Sequence, residues 1–282
     1  MQVLFGFVLA VFVSTLAWWA HALSRSGAVA ATLLGTIIFG LGGLSWAILL
    51  LGFFISSSLF SRLFSRPKAG LVEKYSKGSQ RDAGQVLANG GIASLMVILH
   101  ELVPNSTWPW LGFAGSLAAV NADTWATELG VLSKSLPRMI TNGKPVEPGT
   151  SGAISLTGSL SALAGSLLIA LLALLLWQGD ALGPGLSQKV SLVVLLSLAG
   201  LGGSLLDSLL GASFQGIYTC PVCQKETERH PYHTCGAPTT LKRGWLWLNN
   251  DWVNIACAAG GAILALVIVI SLPTVFGLGI VI

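Results

Sequence analysis

The chain has 282 residues, of which 53% are hydrophobic and only 9% charged, with a mean hydropathy of +0.77. A soluble domain carries about 25% charged residues, so the composition excludes a water-soluble globular protein and points to an integral membrane one. The net charge of +4 calls for no nucleic acid as a partner, and its placement is more informative than its size.

The expected fold class is all-α, a polytopic membrane helix bundle that takes up residues 1–282 as a single membrane domain. At about 20 residues per span, the apolar runs place eight helices at roughly 2–22, 27–41, 44–64, 84–103, 110–132, 153–177, 189–213 and 249–271. The first run has no positive residue ahead of it and no small-residue cleavage site before His21 and Arg25, so it reads as a span and not a signal peptide. Spans two and three are separated only by Gly40-Leu41-Gly42-Gly43, a tight helical hairpin, and span two is short. The tail after Pro273, Thr274 to Ile282, is apolar but too short to cross. The 34 glycines, with many Ala and Ser, suit close helix packing in lipid.

Fourteen of the fifteen Lys and Arg fall in the loops after spans one, three, five and seven. By the positive-inside rule those loops are cytoplasmic and both termini lie outside. Alternation then fixes the depth of the polar residues. Span five carries Asn121, Asp123, Thr124, Thr127 and Glu128 in its cytoplasmic half, and Asp207 lies near the cytoplasmic end of span seven. Gln85 and Asn89 open span four, and Asn249, Asn250, Asp251 and Asn254 open span eight. A charge at the middle of a spanning helix costs about 3 kcal/mol on insertion scales, so such residues are expected to serve a purpose. The expectation is a polar pocket open to the cytoplasm and closed from the far side. Converging carboxylates repel unless a cation sits among them, and hard oxygen ligands suit Mg²⁺. On an ideal helix Asn121, Thr124 and Glu128 share a stripe while Asp123 falls on another side with Thr127. Either the two acids do different jobs or the helix is distorted. The alternative is that the acids are packing glue, paired with Arg81 or Lys144.

Three loops carry further signals. Residues 141–152 contain Asn142-Gly143, Lys144, Gly149, Thr150, Ser151 and Gly152 and lead straight into span six. Backbone N–H groups at a helix start, with a lysine nearby, form an anion site. The spacing is not that of a Walker A loop. Taken alone the segment is a turn with Ser151 as a helix cap; beside carboxylates it points to a nucleoside triphosphate held by Lys144, Gly149, Thr150, Ser151 and Gly152. Residues 61–81 are basic, which fits either anionic headgroups of membrane lipid or a substrate phosphate on Arg81 or Lys77. The cytoplasmic loop 214–248 holds Cys220-Pro221-Val222-Cys223, then His230, His233 and Cys235. Cys220, Cys223, His233 and Cys235 are compatible with a tetrahedral Zn²⁺ knuckle, the alternative being reduced, unliganded thiols; a cytoplasmic location argues against structural disulfides. Cys257 reads as a small core residue, and Trp245 and Trp247 as interface anchors.

Asn-Ala-Asp-Thr-Trp-Ala-Thr-Glu-Leu-Gly at 121–130 resembles the hallmark of an integral membrane family that includes the phytyl-phosphate kinases of tocopherol synthesis. Also similar are Arg81-Asp82 and Asn89-Gly90-Gly91, Gly143-Lys144-Pro145 through Gly149-Thr150-Ser151-Gly152, Gly203-Ser204-Leu205-Leu206-Asp207-Ser208, and Trp247-Leu248-Asn249-Asn250-Asp251. The likeness runs from about Ser26 to Ala265. The family is distantly similar to CTP-dependent polyprenol kinases and phosphatidate cytidylyltransferases, where Asp-x-x-Ala-x-x-x-Gly precedes a basic Pro/Thr/Gly loop. Asp123, Ala126 and Gly130 fit that spacing. The loop here has one lysine in place of a basic cluster, which leaves the nucleotide open.

What the resemblance implies is Mg²⁺-dependent phosphoryl transfer from a nucleoside triphosphate, CTP favoured, to phytyl or another isoprenyl monophosphate. Asp123, Glu128, Lys144 and Arg81 would be catalytic. Mg²⁺ would rest on Asp123, Asp207 and Asp251, with Glu128 binding a second ion or orienting the nucleotide. Arg81, Asp82, Asn89, Asn121, Asn250 and Asn254 would bind substrate. A lipid cytidylyltransferase would use the same groups but release pyrophosphate. A transporter would show inverted repeats and polar groups at the midplane. Nothing in the sequence excludes a homo-oligomer.

Overall fold

A computed structural model describes residues 1–64, 74, 77–78, 80–177 and 185–271. The tail 272–282, most of the segment 179–189, and Arg66 and Lys68 of the basic loop lie outside the described residues. Among the described residues eight α-helices follow in chain order: α1 (Gln2–Trp19), α2 (Arg25–Ile37), α3 (Leu44–Leu63), α4 (Ala83–Leu102), α5 (Trp108–Gly130), α6 (Leu156–Leu175), α7 (Leu186–Ser213) and α8 (Asn250–Ser271). Two small sheets that hydropathy could not reveal sit in the loops. One pairs β1 (Arg138–Met139) with β2 (Ala153–Ile154); the other has the order β4-β3-β5, from β3 (Ile217–Thr219), β4 (Glu226–Thr227) and β5 (Thr240–Arg243).

Seven of the helices are long and apolar enough to cross a membrane. Span two is among them because a π-helical turn, Ile38–Gly42, extends α2 to 18 residues. The chain then reverses at Gly43, whose φ of +78° is a conformation glycine adopts without a Cβ clash. The helix outside that set is α5, 23 residues long, where Asp123 and Glu128 interrupt the apolar run. It is instead the axis of the bundle. Its side chains are buried without a break from Pro109 to Ala122, and α3, α4, α6, α7 and α8 all pack on it. Helices α1 and α2 pack on each other and, through α2, on α4.

Successive helices run antiparallel, so each contact has a depth. Gly165 of α6 meets Trp125 and Asn121 of α5, and Gly130 faces Gly158. Gly200 of α7 lies against Ala118 and Gly203 against Ala119, which makes α5 and α7 parallel. One end of the bundle therefore gathers the C-terminal ends of α3, α5 and α7 and the N-terminal ends of α4, α6 and α8. The other end is sealed by aromatics: the Trp46 ring lies 4.9 Å from Trp110, 4.7 Å from Phe113 and 5.1 Å from His100. Acids, amides and cations thus gather at one end of the bundle and these rings at the other.

Local caps fix where the polar-end helices begin. Asp82 caps α4 in a reciprocal box with Gln85, its carboxylate accepting from the Gln85 N–H at 2.9 Å. Ser24 caps α2, and Ser155 caps α6 by accepting from Gly158 N–H at 3.1 Å.

Candidate functional site

The polar end holds three constellations. The first joins α5 to α7. Asp207 lies near Asp123 and Glu228, and Cys257 of α8 lies beside both aspartates. The Oδ2 of Asp207 is buried and has no hydrogen-bond partner among the described residues. Glu228, just past β4, accepts from Gln215 Nε2 at 3.0 Å, and Gln215 Oε1 accepts from Ser151 Oγ at 2.7 Å. Gln215 and Glu228 were not foreseen. They lie in a connecting segment with no hydropathy or motif signal, and only the fold brings them beneath α7.

The second constellation is centred on Arg81. Its guanidinium donates to Ser58 Oγ at 2.8 Å and Ser57 Oγ at 2.9 Å, and lies 5.8 and 5.6 Å from the ring centres of Phe53 and Phe54. Its backbone is pinned between α1 and α2, donating to the Ala22 carbonyl and accepting from Ser24 N–H, both at 3.0 Å. Burial lowers its pKa to about 10 against the opposing pull of Glu128, so the charge remains at neutral pH. Glu128 itself accepts from Ser61 Oγ at 2.8 Å.

The third is an ion-pair knot. Lys77 Nζ bonds Asp82 at 2.9 Å and Asp251 at 2.5 Å. Burial pulls the Lys77 pKa down, but its bonds to Asp251 and Asp82 outweigh that and raise it. Burial pushes the Asp82 carboxyl up, but the Gln85 N–H and Lys77 outweigh it and hold the group below its usual 3.8. A depressed carboxyl adds stability that is present above its unfolded pKa and lost as pH falls through its folded one. A raised lysine adds stability that is lost as pH rises through its folded value. The melting temperature in detergent should therefore hold steady at neutral pH and fall below about pH 4 and above about pH 10.5. Asp82→Asn, which keeps a good N-cap, should remove the ion-pair share of the acid-side fall; an unchanged acid limb would show that the knot contributes nothing.

This geometry corrects several expectations. Among the described residues Asp123, Asp207 and Asp251 do not form the three-acid group expected to hold Mg²⁺, and Glu128 is turned away from them. Glu128 lies about 140° around the helix from Asp123 and faces Ser61 and Arg81, while Lys77 engages Asp251. Only Asp123 and Asp207 remain together. Asn121 is fully buried; its Nδ2 donates to the Gly165 carbonyl at 2.8 Å and its Oδ1 accepts from Ser56 at 3.1 Å. It ties α5 to α6 and α3 and cannot face a substrate. Asp82 is likewise committed to its cap and to Lys77.

The 141–152 loop does not open a helix, because α6 starts only at Leu156, capped by Ser155. Glu147-Pro148-Gly149-Thr150 forms a turn with Gly149 at φ +77° and Thr150 N–H on the Glu147 carbonyl at 3.2 Å. Ser151 is held by Gln215, and a Cβ on Gly152 would sit 2.3 Å from Ala212 N, so this stretch is packed onto the end of α7. Lys144 is exposed at the hairpin tip. The helix-start anion site expected of Lys144, Gly149, Thr150, Ser151 and Gly152 is not formed.

Two cavities open near these groups. One is a partly open cleft of about 80 Å³ among α1, α2, α3 and α4. Its walls are almost wholly apolar, Ala10, Leu34, Phe39 and Leu51 among them, and its polar groups are Ser14, Arg81, Gln85 and Asn89. The other, about 280 Å³, is polar and lies between the three-stranded sheet and the start of α8, lined by Lys77, Glu228, Arg229, His230, Asn250 and Asp251 among others. Asn254, one turn further into α8, is half-buried.

The chain matches the family described as integral membrane protein DUF92 over residues 8–262. The chain belongs to this family. Among its relatives, Protein PGR of Arabidopsis thaliana is 34% identical over 270 residues, which cover 89% of this chain and 91% of that protein. An uncharacterized membrane protein of Methanocaldococcus jannaschii, MJ0933, is 37% identical over 68% of this chain and 75% of its own length. Protein VTE6, chloroplastic, of Arabidopsis thaliana is 29% identical over 86% of this chain but only 64% of its own length. No solved structure matches the chain. The family match runs from within α1 to the middle of α8.

Proposed function

We propose that this protein is a membrane-embedded kinase that transfers a phosphoryl group from a nucleoside triphosphate, CTP favoured, to phytyl or another isoprenyl monophosphate, giving the diphosphate. The observation that carries this reading is the apolar cavity whose polar head is Arg81, Gln85 and Asn89, at the same end of the bundle as Asp123 and Asp207. An apolar slot with one fixed cation at its mouth suits an amphiphile with a single anionic head. The kinship with VTE6 and the motif resemblance to phytyl-phosphate kinases support the same substrate class.

In this scheme the prenyl tail lies between α1 and α4, and Arg81 orients the acceptor phosphate. Ser57 and Ser58 hold the guanidinium in place while Phe53 and Phe54 shield it from water. A phosphate monoester is already anionic near neutral pH and acts as the nucleophile, so no strong general base is required. Positioning and charge neutralisation carry most of such a reaction.

Asp123 and Asp207 fit a divalent cation. They are hard oxygen donors, neighbours of like charge, and one buried oxygen of Asp207 has no hydrogen-bond partner. Two carboxylates plus substrate phosphates are the usual protein share of a Mg²⁺ site. When bound, Mg²⁺ would neutralise charge on the nucleotide phosphates. The polar cavity replaces Lys144 and its loop as the nucleotide's place in this scheme: Lys77, Arg229 and Asn250 line it, and Glu228 links it to Asp207. In this reading the polar end faces the cytoplasm, which the placement of fourteen of fifteen basic residues supports.

Purified protein with Mg²⁺, CTP or ATP, and phytyl phosphate should form phytyl diphosphate. Absence of product with every nucleotide and prenyl phosphate tried, or release of pyrophosphate with a CDP-lipid, would overturn the reading. Val13→Trp, which fills the slot from α1, should raise KM for phytyl phosphate about tenfold while a shorter geranyl phosphate is still turned over. Equal effects on both acceptors would place the tail elsewhere.

A further inference from the structure

The segment from β3 to β5 is too small to fold on a hydrophobic core. Its strands are two to four residues long. Units below about 40 residues normally rely on disulfides, metals or association. Its few buried residues include Cys220 and His233, at 0% and 4% exposure, which are poor choices for packing alone.

Two tight turns bring four ligand-type side chains face to face. In the first, Cys220 N–H donates to the Lys225 carbonyl at 3.0 Å and Gln224 N–H to the Cys220 carbonyl at 2.9 Å, with Gln224 at φ +58°. The Cys223 N–H points at Cys220 Sγ at 3.4 Å, a donor that favours thiolate. In the second, His233 N–H donates to the Ala237 carbonyl and Gly236 N–H to the His233 carbonyl, both at 2.9 Å, with Gly236 at φ +83°. The ligand atoms of Cys220, Cys223, His233 and Cys235 all lie within 4.8 Å of one another. Cys220 Sγ is 3.6 Å from Cys235 Sγ, and His233 Nδ1 is 3.2 Å from Cys235 Sγ.

These separations discriminate between chemistries. A disulfide requires about 2.05 Å between sulfurs, so all four cysteines of the chain are free thiols. Tetrahedral Zn²⁺ with bonds of about 2.3 Å to sulfur and 2.0–2.1 Å to nitrogen places its sulfurs about 3.8 Å apart and sulfur about 3.6 Å from nitrogen. The Cys220–Cys235 and His233–Cys235 distances fall within about 0.4 Å of those values, and the whole set, spanning at most 4.8 Å, needs only a small contraction to close on an ion. Three soft sulfurs and an imidazole select zinc over Mg²⁺ or Ca²⁺.

We infer that Cys220, Cys223, His233 and Cys235 bind one structural Zn²⁺, closing the β3–β5 segment into a metal-stapled ribbon. Four protein ligands leave no open position, so the ion is structural and not catalytic. Binding releases the protons of the three thiols. The ribbon's outward role follows from what it carries. It supplies Tyr218, Glu228, Arg229, His230 and Tyr232 to the polar cavity, and the Tyr218 and His230 rings stack at 4.5 Å. Arg243 of β5 clamps the ribbon to the bundle through the carbonyls of Gly211, Ala212 and Ser151. The zinc thus fixes a wall of that cavity, and the assignment stands whether or not the cavity takes a nucleotide.

The test uses full-length protein in detergent, purified without a polyhistidine tag. Elemental analysis should find about one zinc per chain. Cys223→Ser and Cys235→Ser should each lose most of it, and Cys257→Ser should retain it. Because the ligand variants could fail to fold, wild-type protein is also stripped with chelator and reloaded with Co²⁺, and should then show the visible spectrum of tetrahedral cobalt–thiolate. Wild-type protein without zinc after loading, zinc retained in both ligand variants, or an octahedral cobalt spectrum would each overturn the assignment. None of these readouts involves phosphoryl transfer, so failure here is distinct from failure of the kinase reading.

Discussion

Asp207→Asn should lower phosphoryl transfer by about a thousandfold and leave the melting temperature of the unliganded protein unchanged or higher. Asp207 stands near two other carboxylates, Asp123 and Glu228, with one buried oxygen unpartnered. Like charges in a medium of low effective dielectric repel, so the ligand-free protein sits under an electrostatic load that an amide would relieve. An acid serving as packing glue behaves the other way: removing one member of a buried pair costs about 3–5 kcal/mol. Glu128→Gln supplies that contrast, because Glu128 accepts from Ser61 and offsets the buried charge of Arg81; it should lower the melting temperature. Mg²⁺ should raise the wild-type melting temperature and leave that of Asp207→Asn unmoved. A variant that unfolds, or one that still makes diphosphate, would make Asp207 a scaffold residue.

The bundle was legible because its physics is one-dimensional: runs of apolar residues long enough to cross lipid specify the number and order of the helices. The central place of α5 was legible for a related reason. Acids inside an apolar run are tolerable only where other helices surround them, and all of Pro109 to Ala122 is buried. Helical periodicity also separated Asp123 from Glu128, as the structure does. What could not be read is three-dimensional. Whether Asp251 meets the other acids depends on where Lys77 goes, and Lys77 lies 174 residues away in sequence. Gly149 to Gly152 has the composition of an anion loop and of a turn alike; only the fit of Gly152 against Ala212 decides. Asn121 reads as polar and thus as functional, yet two interhelical hydrogen bonds use it up. Glu228 comes near Asp207, with Gln215 bonded to it, through folding of the ribbon, which no periodicity encodes.

Gly203→Val should destabilise the protein by about 1–3 kcal/mol and reduce turnover by about a hundredfold, with the two losses coupled. A Cβ at Gly203 would lie 2.5 Å from Ala119 Cβ and 2.8 Å from the Cys257 carbonyl oxygen. One at Gly261 would meet the Gly115 carbonyl oxygen at 2.4 Å. Helices α5, α7 and α8 thus touch backbone to backbone, the mode that small residues permit where lipid supplies no hydrophobic drive for helix association. A valine at Gly203 has no flexible end to displace; it must push α7 outward. Asp207 lies four residues on, one turn along the same face, so the displacement carries its carboxylate away from Asp123. Gly91→Ala in α4 is the control, since nothing lies within 4 Å of its Cβ position. That change should leave stability equal or raise it by about 0.5–1 kcal/mol, the helix-propensity gain. If Gly203→Val melts and turns over like the parent protein, backbone contact at this crossing does not set the Asp123–Asp207 pairing. If it melts lower but turns over normally, α7 moves without taking the acid with it, and the site tolerates a looser geometry than phosphoryl transfer by positioning allows.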